Sequence, residues 1–238
     1  MTEKSNTKRI QMIDGLRGLA VVLMVFHHFF YDLVVFMGAP AALFSNPVFD
    51  FLHYIFAGLF ILLSGVSSRF SRSNLKRGVK VFLIAMAITV VTTFMDMPIR
   101  FGILHLLGFC MIFYGLTYKG FESLPAFVLP VLCVLLLPVS AWCVGHIDFG
   151  VRFLWMFGWT YPEFYSSDYF PILPWVFVFL FGTWAGKYIK EGRLPNWFYD
   201  TPFPVFSAIG RKALLIYIVH QPVLYGLTML LVYFFKPL

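Results

Sequence analysis

Seven runs of apolar residues, each long enough to cross a hydrocarbon layer, leave this chain little choice of fold. They lie near 13–38, 48–68, 77–96, 100–118, 123–144, 170–189 and 208–235. Inside a bilayer no water is available to the backbone, so an isolated span of about 20 apolar residues satisfies its own polar groups only as a helix. The expectation is an all-α polytopic membrane protein, a bundle of about seven transmembrane helices. The composition points the same way: of 238 residues, 60% are hydrophobic and 12% charged, with a mean hydropathy of +0.82. An ordinary soluble domain is excluded. The formal charge of +7 does not argue for nucleic acid, because the basic residues sit in loops between apolar spans.

Those loops also set an orientation. With the N-terminus in the cytoplasm, only Arg100, Arg152 and Lys236 of the 18 lysines and arginines fall on the outer side. The positive-inside rule therefore predicts N-in and C-out. Residues 1–12 read as a cytoplasmic tail and 13–238 as a single transmembrane domain. Ala39-Pro40-Ala41 resembles a cleavage site, but the segment before it is too long and too charged for a signal peptide, so it reads as a retained span. The short break at Met97-Pro98-Ile99-Arg100 predicts a tight hairpin. Pro125, Pro130 and Pro138 predict a bend in the fifth span. Gly182-Thr183-Trp184-Ala185-Gly186 fits a small-xxx-small helix contact, either within the chain or in a homodimer.

The first run, IDGLRGLAVVLMVFHHFFYDLVVFMG, holds Arg17, His27, His28 and Asp32. Ionisable groups in hydrocarbon are costly and mark a protein interior or a wet cavity. Arg17 and His28 are three helical turns apart on one face, about 16 Å along the axis. Asp32 follows His28 by four residues, so the two can touch. His53, His105 and His220 also fall within spans, biased like His28 toward the outer half. A single such histidine is most simply a helix-packing hydrogen bond; several together, with Asp50 near, point to a shared polar cavity. No histidine pair has the i, i+4 spacing of a helical metal site, and no metal is expected. Cys110, Cys133 and Cys143 read as small apolar residues.

Ile13-Asp14-Gly15-Leu16-Arg17-Gly18-Leu19-Ala20 followed by His28 resembles the opening signature of membrane acyltransferases. His28-Phe29-Phe30-Tyr31-Asp32-Leu33, Phe101-Gly102-Ile103-Leu104-His105, the run from Tyr165 to Trp175, and Gly210-Arg211-Lys212 with His220-Gln221-Pro222-Val223 are similar to bacterial proteins of the heparan-alpha-glucosaminide N-acetyltransferase-like domain. The likeness covers about residues 9–230. It implies transfer of an acetyl group from cytosolic acetyl-CoA to the amine or hydroxyl of an envelope saccharide across the bacterial inner membrane. The lysosomal relatives are longer, and carry Asn where His28 aligns.

His28 is the candidate base, oriented by Asp32, or alternatively a nucleophile that takes the acetyl group itself. His105 and His220 are candidates for the acid or an oxyanion partner. Coenzyme A needs cations at the inner face, and Arg17, Arg69, Arg211 and Lys212 are the candidates. Inner loops are basic in any case, for topology and for anionic lipid. Between 149 and 170, Trp155 and Trp159 with Glu163 and Asp168 fit either a sugar-stacking surface or an interfacial aromatic cap. The rival class is a transporter with an intramembrane His/Asp proton relay, which would more often show paired halves; no internal repeat is visible.

Overall fold

The computed structural model describes residues 9–235. Its helices are α1 (Gln11–Met37), α2 (Pro47–Ser68), α3 (Asn74–Phe94), α4 (Ile103–Ser123), α5 (Val128–His146), α6 (Ile172–Lys190), α7 (Asn196–Asp200), α8 (Pro204–Arg211) and α9 (Ala213–Phe235). Short 3-10 turns occur at Ala41–Leu43 and Arg152–Phe157. Among the described residues the only bridge pairing joins Phe101 to Tyr169. Seven helices, α1 to α6 and α9, are long and apolar enough to cross a membrane. The all-α, seven-span expectation therefore holds.

The differences lie at the ends of the elements. Helix α1 starts at Gln11, inside the expected tail; residues 1–8 of that tail, and Lys236, lie outside the described residues. The seventh run was expected as one span over 208–235. Instead the backbone leaves helical geometry at Lys212, and α8 is separated from α9. Of the three prolines expected in the fifth span, Pro125 precedes α5 and Pro130 sits in its first turn. There an N–H would have no helical partner, so proline is tolerated. Only Pro138 is interior.

The described chain divides into two compact units, one of residues up to Phe60 with those from Leu194 onward, the other Ile61–Arg193. In the first, α8 lies against the opening turns of α1. A Cβ on Gly18 would run into the Phe206 carbonyl, one on Gly210 into the Asp14 carbonyl, and one on Gly15 into the Phe203 ring. The Ser207 hydroxyl donates to the Gln11 carbonyl at 2.7 Å, and Gln11 Oε1 accepts from the Phe203 N–H at 3.1 Å. The glycines of the opening signature are thus a seat for α8: close approach of two backbones demands residues without side chains.

In the second unit, α3 and α4 form the expected hairpin. The Thr92 hydroxyl accepts from the Ile99 N–H at 3.0 Å, and the Thr89 hydroxyl donates to the Ile99 carbonyl, pinning the turn. Gly182 and Gly186 of α6 meet the backbone of α2 at Leu62 and Val66. The small-residue stripe is therefore spent within the chain. The segment between α5 and α6 packs on itself, with the rings of Trp155, Tyr161 and Tyr169 all set against Phe164, tilted or edge-on. Asp168 Oδ2 accepts from the Ile103 N–H at 3.2 Å and closes the start of α4. Burial pushes the Tyr169 phenol up to about 12, so it remains a neutral donor to the Trp155 carbonyl. These contacts describe a cap more than a free sugar-stacking face.

Candidate functional site

Two helices of the first unit, α1 and α9, run parallel. Their contacts advance together along both chains, from His28 with His220 to Asp32 with Gln221 and on to Phe36 with Tyr225. The ring centroids of His28 and His220 are 4.9 Å apart. Gln221 Nε2 donates to Asp32 Oδ1 at 2.9 Å. The expected His28–Asp32 hydrogen bond is not among those of the described residues. Residues four apart on a helix can touch, but here α9 presents a contact to each of the two, His220 to His28 and Gln221 to Asp32.

Three polar atoms of this interface are buried and have no hydrogen-bond partner: Asp32 Oδ2, His220 Nε2 and Gln221 Oε1. Their chemistry is fixed by their other contacts. His220 Nδ1 is 2.7 Å from the Tyr217 carbonyl, which can only accept, so the proton is on Nδ1 and Nε2 carries a lone pair. A carboxylate also only accepts, so the Gln221 atom facing it is the amide nitrogen and Oε1 is left over. All three orphans are acceptors. Buried acceptors are costly to leave without a donor, so these three mark a place in the α1–α9 contact where donors are required.

The row of imidazoles continues from α1 to α2. His27 lies 5.8 Å from His28 and 4.6 Å from His53 between ring centroids. Phe44, Phe49 and Phe56 enclose His27. His27 and His53 are intramembrane histidines of the sequence but not among the expected site residues, and Gln221 enters the sequence reading only within the His220-Gln221-Pro222-Val223 motif, with no role of its own. A signal for Gln221 existed: it is a polar residue in an apolar run, next to a histidine.

In the opening turns of α1, Arg17 turns back on its own helix and bonds Asp14 Oδ1 at 3.0 Å; Asp14 also pairs with Arg9. Asp14 is 5% exposed, so its charge needs those partners. Arg211 and Lys212 are exposed and follow Gly210, which rests on Asp14.

The remaining expected residues belong to the second unit. Arg69 is held on every side: Nε donates to the Thr183 carbonyl at 2.7 Å, the guanidinium pairs with Glu122, and it lies over the Tyr114 ring. Lys187 completes this group 3.6 Å from Glu122. A cavity of about 740 Å³ opens beside it, with Arg72, Asn74 and Lys190 among its walls. His105 has both nitrogens engaged. Nδ1 accepts from the Gly102 N–H at 3.2 Å, and Nε2 lies 3.1 Å from the Thr89 hydroxyl. It caps α4 and ties it to α3, a structural task that occupies its whole ring. Among the described residues no cluster of metal-ligating side chains occurs.

Residues 9–222 match the family model described as "Heparan-alpha-glucosaminide N-acetyltransferase, catalytic". The chain belongs to this family. No curated protein and no solved structure matches it. Family membership together with seven apolar helices makes this chain a multi-pass membrane acyltransferase. The family uses acetyl-CoA as its donor.

Proposed function

We propose that the chain transfers an acetyl group from cytosolic acetyl-CoA to the primary amine of an envelope saccharide at the outer face of a bacterial inner membrane. The observation that supports this reading is the set of three buried acceptors at the α1–α9 contact, Asp32 Oδ2, Gln221 Oε1 and His220 Nε2. A protonated amine brings three N–H donors and a positive charge to it. A hydroxyl brings one donor and no charge, and would leave buried acceptors unpaired.

His220 is the general base in this reading, because its lone pair is fixed on Nε2 by the Tyr217 carbonyl. His28 is its coupled partner, and Asp32 with Gln221 holds the amine. The amine attacks the thioester carbonyl, the C–S bond breaks, and the sulfur leaves. Arg211 and Lys212, exposed at the inner end, receive the donor's phosphates. Arg17 is held by Asp14 beside them, three turns of α1 below His28. That separation of about 16 Å suits a donor whose phosphates and thioester lie at opposite ends of a long arm.

The test is single-turnover transfer by protein purified in detergent, using labelled acetyl-CoA. Glucosamine is one acceptor and N-acetylglucosamine, which offers only hydroxyls, the other. Label is expected on glucosamine alone. Label on N-acetylglucosamine at an equal rate would overturn the choice of an amine.

A further inference from the structure

We propose that His28, His27 and His53 form a proton path that carries the acceptor's surplus proton from His220 to the outer water at Asp50. The inference rests on the amine reading above and goes beyond it, because it assigns a task to two histidines that touch no reacting atom.

The path follows from the chemistry. An amine enters as its ammonium ion, and the balanced reaction is R–NH3+ plus CH3CO–S–CoA giving R–NH–COCH3, CoA–SH and one H+. The first N–H proton must leave before attack, since an ammonium has no lone pair. The second goes to the departing sulfur. His220 Nε2 takes the first, and it has to be cleared before another turnover. The His220 Nδ1 proton is held by the Tyr217 carbonyl, so the captured proton leaves from Nε2, and the ring of His28 is packed beside it.

The geometry supplies the rest. Successive ring centroids are 4.9 Å from His220 to His28, 5.8 Å from His28 to His27 and 4.6 Å from His27 to His53. At such spacings one water is enough to carry a proton from ring to ring. An imidazole can accept on one nitrogen while releasing from the other, which suits it to a relay. His53 lies three residues after Asp50, an exposed carboxylate in the first turn of α2 that is within electrostatic reach of both His53 and His27. On the outer side the row therefore ends at a group able to hand protons to solvent. Packing alone does not explain such a row: apolar rings would fill the same space without the cost of burying polar nitrogens.

The experiment measures steady-state acetylation of glucosamine by the full-length chain, in weak buffer and again with added imidazole. For His53→Gln we expect a fall of at least about tenfold in weak buffer and recovery to within about twofold on adding imidazole, because the lost step is proton transfer. Asp50→Asn, an exposed change that disturbs no packing, should show the same recovery on a smaller scale. Acetyl-CoA binding should not change in either variant. A fall that imidazole does not restore in both variants would mean a structural role and overturn the path. So would turnover that matches the wild type in weak buffer. Transfer by the wild type to N-acetylglucosamine but not to glucosamine would instead remove the amine reading, and the path with it.

Discussion

At the residue scale, the histidines separate by what their nitrogens already do. His105 has both engaged, to the Gly102 N–H and the Thr89 hydroxyl. His105→Ala would orphan a buried backbone donor at the start of α4, at a cost of about 1–3 kcal/mol. We expect a lower melting temperature in detergent with an unchanged Kd for acetyl-CoA; normal stability with lost binding would place His105 in the site instead. His220 is the opposite case, with a buried lone pair and no partner. His220→Ala should leave folding intact and reduce single-turnover transfer by about 10²–10⁴-fold, the range for a general base. His28→Ala should slow it less under the same assay, since a partner to the base is lost and the base itself remains. The reverse order would return the role of base to His28.

At the scale of elements, the opening signature is explained as much by packing as by chemistry. Gly18 and Gly210 let the backbones of α1 and α8 touch. Gly18→Ala would press a methyl group against the Phe206 carbonyl, and no rotamer change relieves a clash with backbone. Overpacking of this kind costs typically about 1–3 kcal/mol. Gly226→Ala is the control, because a Cβ there meets nothing within 4 Å; exchanging helix-interior Gly for Ala should be neutral or slightly stabilising. Limited proteolysis in the 194–212 segment would report the difference. Faster cleavage is expected for Gly18→Ala only, and equal rates for both variants would mean that α8 is not seated by these glycines.

At the scale of the whole molecule, the distribution of lysine and arginine predicts an N-in, C-out chain. Single cysteines placed at Glu191 and at Glu163, in a chain whose own three cysteines are replaced, can be labelled in intact cells with an impermeant thiol reagent. Reaction at Glu163 and protection at Glu191 is expected, and the opposite pattern would invert the topology. Seven spans were legible because a bilayer leaves each apolar run one way to satisfy its backbone, a constraint that acts within the run. The intramembrane position of Arg17, His27, His28 and Asp32 was legible for the same reason. What the linear chain could not show was which polar group meets which. Helical spacing allowed Asp32 to reach His28, yet its hydrogen bond comes from Gln221, 189 residues away. Spacing allowed Arg17 to face the histidines, yet it closes on Asp14. The break at Lys212 was hidden inside one apolar run, and the contact of α8 with α1 is visible only in the fold. Periodicity and hydropathy are properties of a segment, and they determined the number and kind of helices. The partners of buried polar groups are properties of two segments brought together, and only the tertiary structure decided them.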